Sequence, residues 1–167
     1  MQLPPRLPHA AFSIINPTVR LLLRSPLHRL WSTNLMLITF RGRSSGRLFT
    51  TPVRYQKQGD LIRCFTSQSN QWWRNLRGGA DVVLRIGGED VPCRAESIQG
   101  DAARVRAGLA QFLDQYPQDS PYYDVHLGKD KRPVASEMER AACVTVMVEA
   151  KRHAGATRTH VAPTPAA

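Results

Sequence analysis

Residues Gly42-Arg43-Ser44-Ser45-Gly46 bring two glycines, two hydroxyls and a guanidinium into one turn, with Arg47 directly behind it. Backbone N–H groups exposed by glycine, together with hydroxyls and arginine, suit phosphate oxygens. The same string matches the G-x-S-x-G pattern of a serine nucleophile, but that chemistry needs a strand before the turn and a helix after it. Here a strand-like run, 47–57, follows, and no Asp and His complete a triad. Anion binding is the stronger reading, and an ordinary exposed basic hairpin is its rival.

Two further segments carry chemistry. In Gln71-Trp72-Trp73-Arg74-Asn75-Leu76, adjacent tryptophans on a short helix cannot face the same way, so one goes to the core and the other is free to border a flat ligand. Tyr122 and Tyr123 sit in a polar loop over 117–133, where either phenol could give up a proton or simply edge the solvent. The five histidines, His9, His28, His126, His153 and His160, show no metal-ligand spacing, and no metal is assigned. Cys64, Cys93 and Cys143 each lie in a strand-like run without a CxxC pair, which predicts reduced core thiols and a cytoplasmic setting.

The charge distribution narrows the partners. The chain of 167 residues carries a net charge of +10, and its first acidic residue is Asp60. Everything before it is basic or neutral: Arg6, Arg20, Arg24, Arg29, Arg41, Arg43, Arg47, Arg54 and Lys57. Such a field favours an anionic partner, whether nucleic acid, lipid headgroups or a phosphate-bearing cofactor. The longest apolar run, Leu35 to Phe40, is broken by Thr39 and falls far short of the ~20 residues of a membrane-spanning helix. An acid-free start resembles a transit peptide, but it continues through two patterned strands that no cleavage would remove.

The elements that must hold these residues follow from periodicity. Residues 1–12, rich in proline, read as a flexible arm. Asn16-Pro17 opens a short amphipathic helix with Val19, Leu22 and Leu23 on one face, ended by Pro26. Strands are predicted over 35–41, 47–57, 61–66, 82–86, 91–98 and 143–149. A short helix is predicted over 71–77, a longer one over 102–116 capped by Asp101, and another over 136–141. Residues 13–150 form one domain and 151–167 a disordered tail. Hairpin-joined strands with helices inserted between them give an α+β class, an antiparallel barrel with peripheral helices.

The order Leu37-Ile38-Thr39, Gly42-Arg43-Ser44-Ser45-Gly46, Thr51-Pro52-Val53, Gly59-Asp60, Thr66-Ser67 and Trp72-Trp73-Arg74-Asn75-Leu76 resembles the deazaflavin-dependent nitroreductase family. That family sits within the flavin and deazaflavin split β-barrel oxidoreductases. The resemblance implies an FMN-binding-like split β-barrel that binds coenzyme F420, whose phosphate and polyglutamate tail would meet the basic first third. By position it implies that Arg43, Ser44, Ser45, Gly46 and Arg47 meet the cofactor phosphate. Thr51 and Pro52 would shape the strand beneath, and Ser67 and Trp73 would border the ring. The chain departs from the family's usual Gly-Arg-Lys-Ser-Gly turn at Ser44, and from a following Arg at Phe49. FMN or haem remain alternative ligands.

The activity implied is hydride transfer from reduced deazaflavin to a small electron-poor acceptor such as a quinone, nitro compound or activated alkene, with Tyr122 or Tyr123 giving the balancing proton. The rivals are a non-catalytic binder of FMN, deazaflavin or haem, and a basic membrane-surface or nucleic-acid binder. Among partners, a small-molecule substrate is expected and nucleic acid is not. A homodimer and a peripheral membrane contact through the basic N-terminal helix stay open.

Overall fold

The structure, a computed structural model, describes residues 34–153. The predicted arm, the N-terminal helix and the tail beyond His153 lie outside the described residues.

Six strands close into an antiparallel barrel in the order β1-β2-β3-β6-β5-β4. They are β1 (Leu35–Arg41), β2 (Leu48–Gln58), β3 (Leu61–Ser67), β4 (Ala80–Ile86), β5 (Glu89–Ile98) and β6 (Thr145–Arg152). Helix α1 spans Ala102–Gln115 and α2 spans Ala135–Val144, with 3₁₀ segments at Trp72–Leu76 and Pro117–Tyr123. The β-branched and aromatic content of the strands suits a pleated, half-buried surface. Their alternation puts Met36, Ile38 and Phe40 of β1 inside, facing Leu84, Val146 and Val148 in one apolar barrel core. The β4–β5 hairpin turns on Gly87 (φ +57°) and Gly88 (φ +89°), positive values that a two-residue turn of this hand demands.

A second core lies outside the barrel. Val105, Leu109, Phe112 and Leu113 of α1 recur at helical spacing and pack with Met138, Ala141 and Ala142 of α2 over Phe65 and Met147. Asp101 caps α1 by accepting from the Arg104 N–H at 3.0 Å. Gly108 lets the helix come down onto the sheet, since a Cβ there would sit 2.7 Å from the Met147 sulfur. Glu149 of β6 ties the helix to the barrel by ion pairs to Arg63 and Arg104 at 2.8 and 2.6 Å.

Some boundaries differ from the sequence expectation. Strand β2 begins at Leu48 because Arg47 still belongs to the turn, where its carbonyl accepts from the Gly42 N–H. Cys143 is exposed on α2, which continues through it, so only Cys64 and Cys93 are core thiols. The last strand starts at Thr145 and runs through Lys151 and Arg152, which pair with Leu61 and Cys93, so the tail cannot begin at 151. The 117–133 loop contains the 3₁₀ segment Pro117–Tyr123, opened by proline at its first position. Among the described residues no helix is long and apolar enough to cross a membrane.

Candidate functional site

Strand β2 has eleven residues but pairs with β3 only from Tyr55↔Cys64 to Gln58↔Leu61. Before Tyr55 the two strands part, and a cavity of about 580 Å³ occupies the opening. Its walls are Phe49–Arg54 of β2, Phe65 and Thr66 of β3, and Phe40 of β1. Asn70, Gln71, Trp72 and Asn75 close one side, and Asp119, Tyr122 and Tyr123 the other. This volume falls in the range of cofactor and small-molecule sites.

The wall chemistry is neutral and aromatic on one side. Phe40 stacks on Phe49 at 6.0 Å with planes 24° apart, and lies 5.9 Å from Trp72 at 32°. The Thr39 and Thr50 hydroxyls meet at 2.9 Å, and the Thr66 hydroxyl accepts from the Asn70 amide at 2.8 Å. Asn75 donates to the Trp72 carbonyl at 2.9 Å and accepts from the Arg43 N–H at 3.0 Å. Through Asn75 the cavity joins the glycine turn.

That turn is closed by Gly42 N–H to the Arg47 carbonyl and Gly46 N–H to the Gly42 carbonyl, both at 2.8 Å. Gly42 is required by packing, because a Cβ there would lie 2.6 Å from the Phe49 ring. Arg41 donates to the Gly46 carbonyl at 2.6 Å, and Arg43 to the Arg77 carbonyl. None of Arg41, Arg43, Arg47, Arg74 or Arg77 has a carboxylate partner among the described residues. The rim therefore keeps an uncompensated positive field beside the aromatic side of the cavity.

The opposite wall carries charge and phenols. Arg54 pairs with Asp119 at 2.9 Å and lies 5.4 Å over the Tyr116 ring. Burial pushes the Asp119 carboxyl above its ordinary range, against the pull of Arg54. Burial also pushes the Tyr123 hydroxyl well above the usual tyrosine value, helped by Tyr122, Asp119 and Cys64 and opposed by Arg54. Ionisation of the Tyr123 phenol is thus disfavoured. Tyr122, in edge contact with Tyr123 at 5.0 Å, is 65% exposed and stands at the mouth.

Of the residues singled out from sequence, Thr51, Pro52, Tyr122 and Tyr123 line the cavity. Arg43, Ser44, Ser45, Gly46 and Arg47 are exposed at its rim. Ser67 lies at the end of β3 outside the cavity wall, its hydroxyl 2.8 Å from that of Ser69. Trp73 does not border the cavity: it is 1% exposed in the barrel core, and Trp72 takes the position expected of it. In a 3₁₀ helix residues i and i+3 share a face. Trp73 pairs with buried Leu76, and Trp72 with Asn75 of the cavity wall. The leucine and asparagine three residues on were the signal that tells the two tryptophans apart. Phe40, Phe49, Thr66, Asn70, Arg54 and Asp119 also belong to the wall, and only long-range packing reveals them.

An antiparallel barrel opened at one seam over an aromatic cavity, with a basic glycine turn at its rim, is a split β-barrel. The profile of the F420H(2)-dependent quinone reductase family matches residues 23–139, and the chain belongs to that family. It is an F420-dependent oxidoreductase. Among solved structures it is similar to one titled F420-H2 Dependent Reductase (FDR-A), at 17% identity, covering 70% of this chain and 94% of that one, TM-score 0.44. It is similar also to the flavocytochrome Anf3 from Azotobacter vinelandii, at 20% identity over 83% of this chain and 67% of that one, TM-score 0.44. A FAD and heme binding protein from Mycobacterium smegmatis matches at 14% identity over 83% and 75%, TM-score 0.43. No curated protein matches.

Proposed function

We propose that the chain reduces a quinone with F420H2, with the deazaflavin ring in the opening between β2 and β3. The observation that carries this reading is the junction of a flat-walled cavity with an unpaired basic turn, linked through Asn75. Phe40, Phe49 and Trp72 would flank the ring, and Thr51 and Pro52 would lie along its edge. Arg43, Arg47 and the Ser44–Ser45–Gly46 backbone would hold the phosphate arm. The reduced deazaflavin, when bound, supplies a hydride. The chain's own work is to exclude water, fix the acceptor against the ring and hold a proton nearby. Tyr122 and Tyr123 line the cavity, and either phenol would give the balancing proton. Nitro compounds and activated alkenes are further acceptors of the same chemistry.

The test is single-turnover oxidation of F420H2 by a water-soluble quinone, followed by the return of the oxidised deazaflavin absorption. Loss of the reduced cofactor that depends on both protein and quinone is expected. Tight F420 binding without turnover would instead make the chain a carrier.

A further inference from the structure

The wall opposite the aromatic face carries a cation, Arg54, that does not belong to the basic glycine turn. Arg54 projects from β2 into the cavity lining, yet its Nε is engaged by Asp119 at 2.9 Å from the Pro117–Tyr123 segment. Its guanidinium carbon sits 5.4 Å over the Tyr116 ring. That ring is itself fixed: its hydroxyl lies 3.1 Å from the Tyr55 carbonyl and accepts from the Gln115 amide at 3.0 Å. A carboxylate at one edge and an aromatic face beneath leave the two Nη groups as the free donors, and neither has a hydrogen-bond partner among the described residues. The pair is half-buried, with side chains 32% and 19% exposed, so water screens it less than it screens the arginines of the rim.

We propose that Arg54 is the acceptor-recognising residue of this site, held by Asp119 as a positioning residue, and that it selects conjugated carbonyl acceptors. The inference rests on the reductase reading above. In such an acceptor the arriving hydride forms a bond at one end of the conjugated path and brings its electron pair. The carbonyl π bond at the other end breaks and the pair settles on that oxygen, while the cofactor is oxidised. One proton, from Tyr123 or from solvent, then neutralises the oxyanion. A fixed donor aimed at the oxygen that gains charge is stronger in the transition state than in the ground state, which is what lowers the barrier. A mobile, hydrated cation would have to reorganise first.

The experiment uses the full chain with F420H2 and a water-soluble quinone. Arg54→Gln is expected to slow single-turnover hydride transfer by about 10²-fold, the typical cost of one oxyanion donor, while F420 affinity by fluorescence titration is unchanged. Millimolar guanidinium is expected to restore rate to Arg54→Ala and to leave wild type as it is. Arg54→Ala combined with Asp119→Asn removes the stranded carboxylate, and rescue should persist in that background. Asp119→Asn alone keeps the donor and loses its aim, so its rate should fall between wild type and Arg54→Gln. Wild-type hydride transfer with an unaffected Arg54→Gln would overturn the inference and leave the reductase reading standing. A loss of rate that tracks a loss of F420 affinity and resists guanidinium would assign Arg54 to packing. If wild type transfers no hydride to any quinone, both fall together.

Discussion

The two edges of β3 differ along their length. Toward β6 every residue is paired, from Leu61↔Lys151 to Ser67↔Thr145, and the side chains inside that seam are Ile62, Cys64, Val146 and Val148, all in the barrel core. Toward β2 pairing stops at Cys64, and the space beyond is the cavity. One strand thus serves a dry core on one side and a ligand-sized opening on the other. The difference begins with Pro52, which has no N–H to give and so suits a stretch of strand with one edge unpaired. Phe65 adds to it by turning outward, where its ring lies 5.1 Å from that of Phe112 of α1. A closed ladder supplies stability, and the open seam can then be spent on binding.

The adjacent tryptophans give the sharpest way to break this contrast. Trp73→Ala should cost about 3–5 kcal/mol by emptying the barrel core, read as a lowered denaturation midpoint. Trp72→Ala should change stability far less and weaken F420 binding. Equal effects of the two on both readouts would erase the distinction between core and cavity.

At the rim, Arg43→Ala removes a charge-assisted donor worth about 1.5–3 kcal/mol, so F420 should bind about tenfold or more weakly at low salt. The deficit should shrink as salt rises. An affinity equal to wild type at low salt would take the turn out of the site.

Gly42→Ala probes the link between turn and cavity. The added methyl meets Phe49 at 2.6 Å and the Ser45 hydroxyl at 2.9 Å, so the ring at the mouth must move. The cost of overpacking a tight site is about 1–3 kcal/mol, and the expected sign is weaker cofactor binding together with a modest loss of stability. Unchanged affinity would mean that Phe49 yields without disturbing the mouth.

The smallest effect concerns the thiols. Cys64 is 1% exposed and burial pushes its thiol up to about 12, while burial also raises that of Cys93. Native protein should therefore label at Cys143 alone, and unfolded protein at all three. Labelling of Cys64 without denaturant would show that the closed seam opens.

Much of this was legible in the chain. Gly87-Gly88 between two alternating runs announced its hairpin, and Asp101 before the Val105, Leu109, Phe112 stripe announced α1. The glycine turn and Thr51-Pro52 were visible because their chemistry is local. The cavity as a whole was not, because it depends on where β3 leaves β2 while staying paired with β6, a strand from the far end of the sequence. Arg54 and Asp119 are brought together by the same long-range packing, and neither residue has a neighbour in sequence that marks it. The choice between Trp72 and Trp73 was within reach through Leu76 and Asn75, but depended on reading the segment as a 3₁₀ turn.

In the proposed reading the cofactor ring lies in the open seam between β2 and β3. Amide hydrogen exchange of the full chain, with and without F420, tests it most directly, because amides beyond the end of the β2–β3 ladder have no strand partner across the seam. Protection on adding F420 should appear in peptides covering 42–54, 65–76 and 117–124, and the β4–β5 hairpin should be unchanged. Protection confined to β4–β5, or none at concentrations where F420 is bound, would place the cofactor elsewhere.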